Sequence, residues 1–377
     1  MEDAATSGQA SWFQATARQR VAGLLDPNSF TEFLDPSERV QSPHLRLFDI
    51  PSAFDDGVII GRGKLDGKDV LVAAQEGQFM GGTFAEVSGA KLVGLLRAAR
   101  DHKTLPQTVL LLMDSGGVRL QEANAGELAV AELMRAIVEA RCAGVAVIAL
   151  VGGKAGAFGG AGLTTATCAR VAISAQGRIG VSGPEVIETN KGVEEFDAGD
   201  KALVWSTDGG KTRRLLGGAD AFAEDSMDGF RSAAKLLLAK VPAFDLKTMQ
   251  AEQERLQTRQ QRFGACDDAV SMWRILGIKE PGAIRDMGSK AFAADSMEGF
   301  RAAAKALMAK VPTLDLKTMQ AEQERLAARQ KRLGACHDAV SMWRILGIEE
   351  PEAIRDMDSK DFTALANSIK EANHDAR

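Results

Sequence analysis

Apolar and polar positions change their spacing twice along the chain, and each change marks a different kind of structure. The opening stretch, SWFQATARQRVAGLLD, sets Phe13, Ala17, Val21 and Leu24 or Leu25 on one helical face and stops at Asp26-Pro27. Between about 45 and 190 the spacing shortens. Short β-rich runs at 57–62, 70–75, 108–113, 145–151 and 171–174 alternate with helical stretches, the best of them 87–102 and 125–143. Strands that end in glycine-rich turns and feed helices predict an α/β domain whose ligand edge lies at those turns.

From 221 the helical spacing returns, and it returns twice. Residues 221–290 and 291–360 align without gaps, with 55 of 70 positions identical. Each copy predicts about three helices; in the first they span 226–240, 246–262 and 265–276. Solenoids use shorter periods and three or more units, so two near-identical copies read as a segmental duplication. Identical faces compete for one docking surface. The first copy, joined to the core through an unbroken 211–220, is expected to pack on it. The second is then an appended helical module or a contact for a neighbouring subunit. The expected domains are 1–220, 221–290, 291–360 and a tail at 361–377.

Composition narrows the chemistry. With 45% hydrophobic and 26% charged residues among 377, the chain is an ordinary globular protein. A net charge of −5 gives no electrostatic case for nucleic acid. The apolar run at 145–151 is too short to cross a membrane, and the opening MEDAATSGQA lacks a secretory leader, so the cytoplasm is expected. Cys142, Cys168, Cys266 and Cys336 form no CxxC pair, which speaks against a zinc ribbon or a disulfide scaffold. The four histidines are scattered and tyrosine is absent. The usual side-chain catalysts are scarce.

What the sequence offers instead is glycine. Four segments stand out: QFMGGT (78–83), DSGGVRLQE (114–122), GGKAGAFGGAG (152–162) and SGPEVIE (182–188). Glycine lets a reacting carbonyl approach main-chain N–H groups, and a helix N-terminus adds unpaired N–H groups and a positive dipole end. Two such turns facing each other make oxyanion holes, whose donors strengthen as negative charge develops. Taken singly, each Gly pair is an ordinary tight turn. No GxxxxGK[ST] occurs, KAGAFGGAG is a poor GxGxxG, and Asp114-Ser115-Gly116 lacks the first glycine of GxSxG.

In order and spacing these segments resemble the carboxyltransferase family, and within it most closely the β subunit of malonate decarboxylase. FMGG is Phe79 to Gly82, SGG-x-R-x-QE is Ser115 to Glu122, the GG-rich turn is Gly152 to Gly162, and GP-x-VIE is Gly183 to Glu188. RVAGLLDPNSFTEF, from Arg20 to Phe33, also looks like the family's N-terminal stretch. The resemblance covers roughly 10–290. It implies a crotonase (ClpP-like) fold and a heterodimer with a homologous γ subunit, the active site lying at their interface. It further implies a malonyl thioester on the phosphopantetheine-type arm of an acyl carrier protein subunit, with an acyl-carrier-protein transferase α subunit alongside. The products would be the acetyl thioester and CO2. On this resemblance Gly116, Gly117, Gly159 and Gly160 supply oxyanion donors. Phe79, Met80, Gly81, Gly82, Ser115, Phe158, Pro184 and Glu185 face the substrate.

Two departures favour decarboxylase over carboxylase. No cysteine precedes Cys142, where the related acetyl-CoA carboxylase β subunit has a four-cysteine zinc ribbon, and no biotin-accepting MKM occurs. No zinc, no other metal and no biotin are therefore expected. The alternatives are a biotin-dependent carboxyltransferase component and a non-catalytic thioester-binding scaffold. Lys154, Arg119 and Arg178 are candidates for the phosphates of the arm, each weighed against a solvated charge. Asp225-Ser226-Met227 looks like a prosthetic-arm site but reads better as a helix cap.

Overall fold

The computed structural model describes residues 10–38, 40, 42, 57–122, 124–266, 269–277 and 344. The chain forms two compact units, Met1–Lys310 and Val311–Arg377. Of the second unit, and of the second repeat copy and tail, only Arg344 is among the described residues. The architecture below is that of the first unit.

A seven-stranded sheet runs in sequential order: β1 (Thr31–Phe33), β2 (Val58–Leu65), β3 (Lys68–Gln75), β4 (Thr108–Met113), β5 (Ala146–Val151), β6 (Arg170–Ser174) and β7 (Ala221–Ala223). β2 is antiparallel to both β1 and β3, and β3 to β7 are parallel. The β2–β3 hairpin turns at Asp66-Gly67, where both residues have positive φ, as a two-residue hairpin of the Asp-Gly kind demands.

The helices, in chain order, are α1 (Ala17–Leu24), α2 (Glu86–Asp101), α3 (Ala125–Cys142), α4 (Gly160–Thr167), α5 (Pro184–Lys191), α6 (Lys201–Asp208), α7 (Gly210–Leu215), α8 (Met227–Leu238), α9 (Leu246–Phe263) and α10 (Ala269–Ile275). Thr16 and Gln19 close a reciprocal capping box on α1. Ser226 caps α8 by accepting from the Gly229 N–H, as the cap reading of Asp225-Ser226-Met227 requires.

Alternation along the central strands sorts two cores. Val109, Leu111 and Met113 of β4 and Val147, Ala149 and Val151 of β5 face α2 and α3. Leu110, Leu112, Ile148 and Leu150 face the other way, toward α1 and α8. Each parallel crossover steps to the next strand in the same direction, so α2 and α3 share one face. The opposite face is left to α1 from the chain's start and α8 from the repeat. There Trp12 and Phe230 stack at 4.1 Å between ring centroids. Strands buried on both faces explain why 108–113 and 145–151 read as unbroken apolar runs.

The first repeat copy is thus not wholly helical. Its opening Ala221–Ala223 pairs in parallel with β6 and joins the sheet.

Candidate active site at the glycine turns

The glycine segments leave the carboxyl ends of β3, β4, β5 and β6, which lines them up along one edge of the sheet. Backbone hydrogen bonds lace neighbouring turns together. The Gly116 N–H donates to the Gly81 carbonyl at 2.9 Å, and the Ser115 N–H to the Gly156 carbonyl at 2.7 Å. The Phe158 N–H returns to the Ser115 carbonyl at 3.0 Å, and the Ala157 N–H reaches the Arg178 carbonyl at 2.9 Å. Ser115, Ala157 and Ile179 form a second short row of parallel bridges beyond the main sheet.

Gly82 is dictated by this closeness, and Gly159 by its backbone conformation. At Gly82 φ is +63°, and a side chain would run into the carbonyl oxygen of Asp114. At Gly159 φ is +56°, and a methyl group would lie 3.6 Å from the Gly117 Cα. The SGG turn and the GG turn therefore face each other with room for about a methyl group between them.

The donors can be counted one by one. Gly116 is corrected as an oxyanion donor, because its N–H is committed to Gly81. The Gly117 N–H is held by the Ser115 Oγ at 3.2 Å. Among the described residues no acceptor meets the N–H groups of Gly159 or Gly160, and Gly160 opens α4. A helix start directs both the free N–H groups and the positive dipole end outward.

Four of the residues expected to face substrate, Ser115, Phe158, Gly82 and Pro184, are buried in this chain. Ser115 is fully buried, and its hydroxyl supports the Gly117 turn. Phe158 is buried too, its ring lying 5.5 Å from the Arg178 guanidinium. Both brace the turns from behind, and Gly82 and Pro184 are likewise buried. Gly81 and Glu185 are exposed, while Phe79 and Met80 are half-buried. The SGP segment borders the GG turn through Val181, whose carbonyl would lie 3.9 Å from a methyl on Gly159.

The arginines belong to the scaffold. Arg119 is buried, with its Nη1 2.9 Å from the Glu122 Oε1, so it is not a solvated charge. Glu122 also accepts from the Ser42 hydroxyl at 2.9 Å and from the Glu86 N–H at 3.0 Å, which fixes the start of α2. Arg178 lies against the Phe158 and Trp205 rings and donates to the Lys154 carbonyl. Its pKa is lowered by burial. Asp208, behind the same loop, pairs with Arg213 yet is held above the ordinary carboxylate range by burial.

Sequence reading missed Asp114. Its carboxylate is buried, bound by the Arg20 guanidinium at 2.7 Å and by the Ala155 N–H at 2.7 Å. Side chains at Gly77 or Gly153 would collide with it. One carboxylate thus pins three turns. The signal was present as an aspartate at the start of DSGG and an arginine at the start of RVAGLLD, but nothing local joined them. Among the described residues no group of histidine, cysteine and carboxylate side chains could hold a metal ion.

The sequence profile of the carboxyl transferase domain matches residues 13–304. The chain belongs to the carboxyl transferase family. A malonyl-S-ACP:biotin-protein carboxyltransferase of Malonomonas rubra is 37% identical over 306 residues, covering 76% of this chain and 95% of that protein. A Pseudomonas malonate decarboxylase hetero-tetramer, crystallised with malonate, contains a chain 39% identical to this one. Its TM-score is 0.64 over 72% of this chain and 99% of that one. The transcarboxylase 12S core with methylmalonyl-coenzyme A is more distant, at 26% identity and a TM-score of 0.51 over 64% and 43%. The chain is thus homologous to malonate decarboxylase subunits and to carboxyltransferases. It shares their mixed α/β fold built on a parallel sheet.

Proposed function

We propose that this chain is the β subunit of a biotin-independent malonate decarboxylase. With a γ subunit it converts a malonyl thioester on an acyl carrier protein to the acetyl thioester and CO2. The observation that carries the reading is the pair of N–H groups of Gly159 and Gly160, without an acceptor among the described residues, at the start of α4 beside the Gly117 turn. Loss of CO2 from a malonyl thioester leaves an enolate whose charge rests on the thioester oxygen. Donors already aimed at that oxygen favour the transition state over the ground state, and one such donor is worth roughly 10²–10³ in rate. The remaining requirements are an aligned carboxylate and a proton for the α-carbon.

A split site is supported by what adjoins the turns. Leu120, three residues past Gly117, is 76% exposed, and Val181, beside the Gly159 turn, is 69% exposed. Leu163, on the first turns of α4, is exposed as well. Exposed apolar side chains beside the glycine turns fit a surface for a protein partner, here the γ subunit. The carrier protein would present its arm across that seam, and a transferase α subunit would load it. Among the described residues no helix is long and apolar enough to cross a membrane.

The Malonomonas relative favours a second reading, in which the same enolate chemistry passes the carboxyl group to a biotin protein. Co-expression with a γ subunit and assay on malonyl-acyl carrier protein separates the two. The first reading predicts acetyl thioester and free CO2 without biotin, undiminished by avidin. Turnover that requires a biotinylated acceptor would replace it with the second.

A further inference from the structure

The open edge of β6 is filled by the first repeat copy. Ala221, Phe222 and Ala223 pair with Ala172, Ile173 and Ser174, and α8 then lies in the groove between β5, β6 and α1. Its hold is specific. Phe230 stacks on Trp12, and Asp225 accepts from the Ser11 hydroxyl at 2.6 Å and the Phe13 N–H at 2.8 Å. Arg231 donates to the Leu24 carbonyl at 2.6 Å, and Lys235 meets Asp66 at 2.9 Å.

Every one of these residues recurs 70 positions later. The second copy has Ala291-Phe292-Ala293 for the strand, Asp295 for the clasp, Phe300 for the stacking ring, Arg301 for the carbonyl contact and Lys305 for the ion pair. Over 221–240 the copies differ at Glu224, Asp228, Ser232, Leu236 and Leu238. The first four are exposed and the last is half-buried. No fully buried position of this segment has changed. A duplicate serving only as a solvated appendage has no need of an apolar face matched residue for residue to a groove on the core.

We infer that residues 291–310 are an alternative occupant of the β6 edge, able to replace 221–240 within one chain. Two features make the first copy the resident. Seating the second closes a loop that contains the whole first copy, and loop entropy grows with length, though slowly. In addition the Arg141 guanidinium stacks on the Phe244 ring at 4.1 Å, and leucine stands at the matching position, Leu314. Exchange therefore leaves the sheet complete and releases the other copy, with its strand and apolar helix face, for a contact elsewhere.

The test uses the full-length chain with Phe230→Asp, Phe300→Asp and both together, followed by thermal melting and native mass spectrometry at two concentrations. Exchange predicts that Phe300→Asp melts like the parent and that Phe230→Asp keeps a cooperative, monomeric transition at a lower midpoint. The double variant should lose that transition. Three results overturn the inference: Phe230→Asp as disrupted as the double variant, a double variant that melts like Phe230→Asp, or Phe230→Asp folded only as a dimer. The last would seat the second copy on a neighbouring chain.

Discussion

Arg20 and Asp114 stand 94 positions apart in sequence and 2.7 Å apart in the fold, with side chains only 3% and 2% exposed. The pair joins the N-terminal helix to the strand end from which the DSGG turn departs. Breaking such a buried pair strands a charge and costs about 3–5 kcal/mol. Arg20→Met should lower unfolding free energy by that order in urea titrations. The double change Arg20→Met with Asp114→Asn should lose less than the two single losses added. Strict additivity would mean that the pair does not couple.

Gly159→Val should separate chemistry from folding. A valine there strains a positive φ and crowds the Gly117 turn across 3.6 Å, shifting both free donors. The kcat of the assembled enzyme on malonyl thioester should fall at least about 100-fold, the order expected for one displaced oxyanion donor. Substrate binding should change less. Gly82→Val is the contrast: its side chain meets the Asp114 backbone, so soluble yield should collapse before activity can be measured. Equal and mild effects at both positions would contradict the assignment of the donors to Gly159 and Gly160.

Leu120→Asp tests the seam. The residue is exposed in this chain, so the variant should fold and melt normally. In the proposed heterodimer it would place a charge in an apolar contact. Gel filtration with the γ subunit should then show at least about a tenfold weaker association, equivalent to roughly 1.4 kcal/mol. Unchanged binding would move the partner surface elsewhere.

Asp208 sets a pH dependence. Burial holds its carboxyl above the ordinary carboxylate value despite the Arg213 pair, and its Oδ2 has no hydrogen-bond partner among the described residues. The folded state thus keeps the proton more tightly than the unfolded chain. Its contribution to stability is present below the unfolded value and is lost as pH rises through the folded one. Asp208→Asn cannot lose it. The gap in denaturation midpoint between variant and parent should widen in the variant's favour as pH rises from the ordinary carboxylate value, about 4, through the raised one. A gap that stays constant with pH would reject the shift.

Much of this architecture was legible in the sequence, and the exceptions share a cause. The runs at 108–113 and 145–151 match β4 and β5 to within a residue, and the helices at 87–102 and 125–143 match α2 and α3 to within one or two. Periodicity reports local burial well when an element is long. It is silent on Ala221–Ala223, three small residues that form a strand only because β6 offers an open edge. The turns were found and their roles only partly assigned. Whether a glycine N–H is free depends on which carbonyl lies opposite. Gly116 meets Gly81, 35 positions away, whereas the Gly159 N–H meets no acceptor among the described residues. That difference is tertiary, and no spacing within either motif encodes it. Ser115 and Phe158 sit in the motifs for the same reason that Asp114 does, as supports for main-chain geometry.

The row of bridges through Ser115, Ala157 and Ile179 has a consequence for how this protein can fail. Main-chain amides cannot be alkylated, oxidised or titrated away under conditions that leave the fold intact. Reagents that silence an enzyme by modifying a nucleophile would leave these main-chain donors in place, and any loss they caused would have to act through side chains such as the exposed Cys142 or Lys154 or through another subunit. What the laced turns do share is a common fate: loosening one bridge misaligns its neighbours. Heat should therefore extinguish this chain's contribution to the reaction at the temperature where the turns part, and not gradually before it.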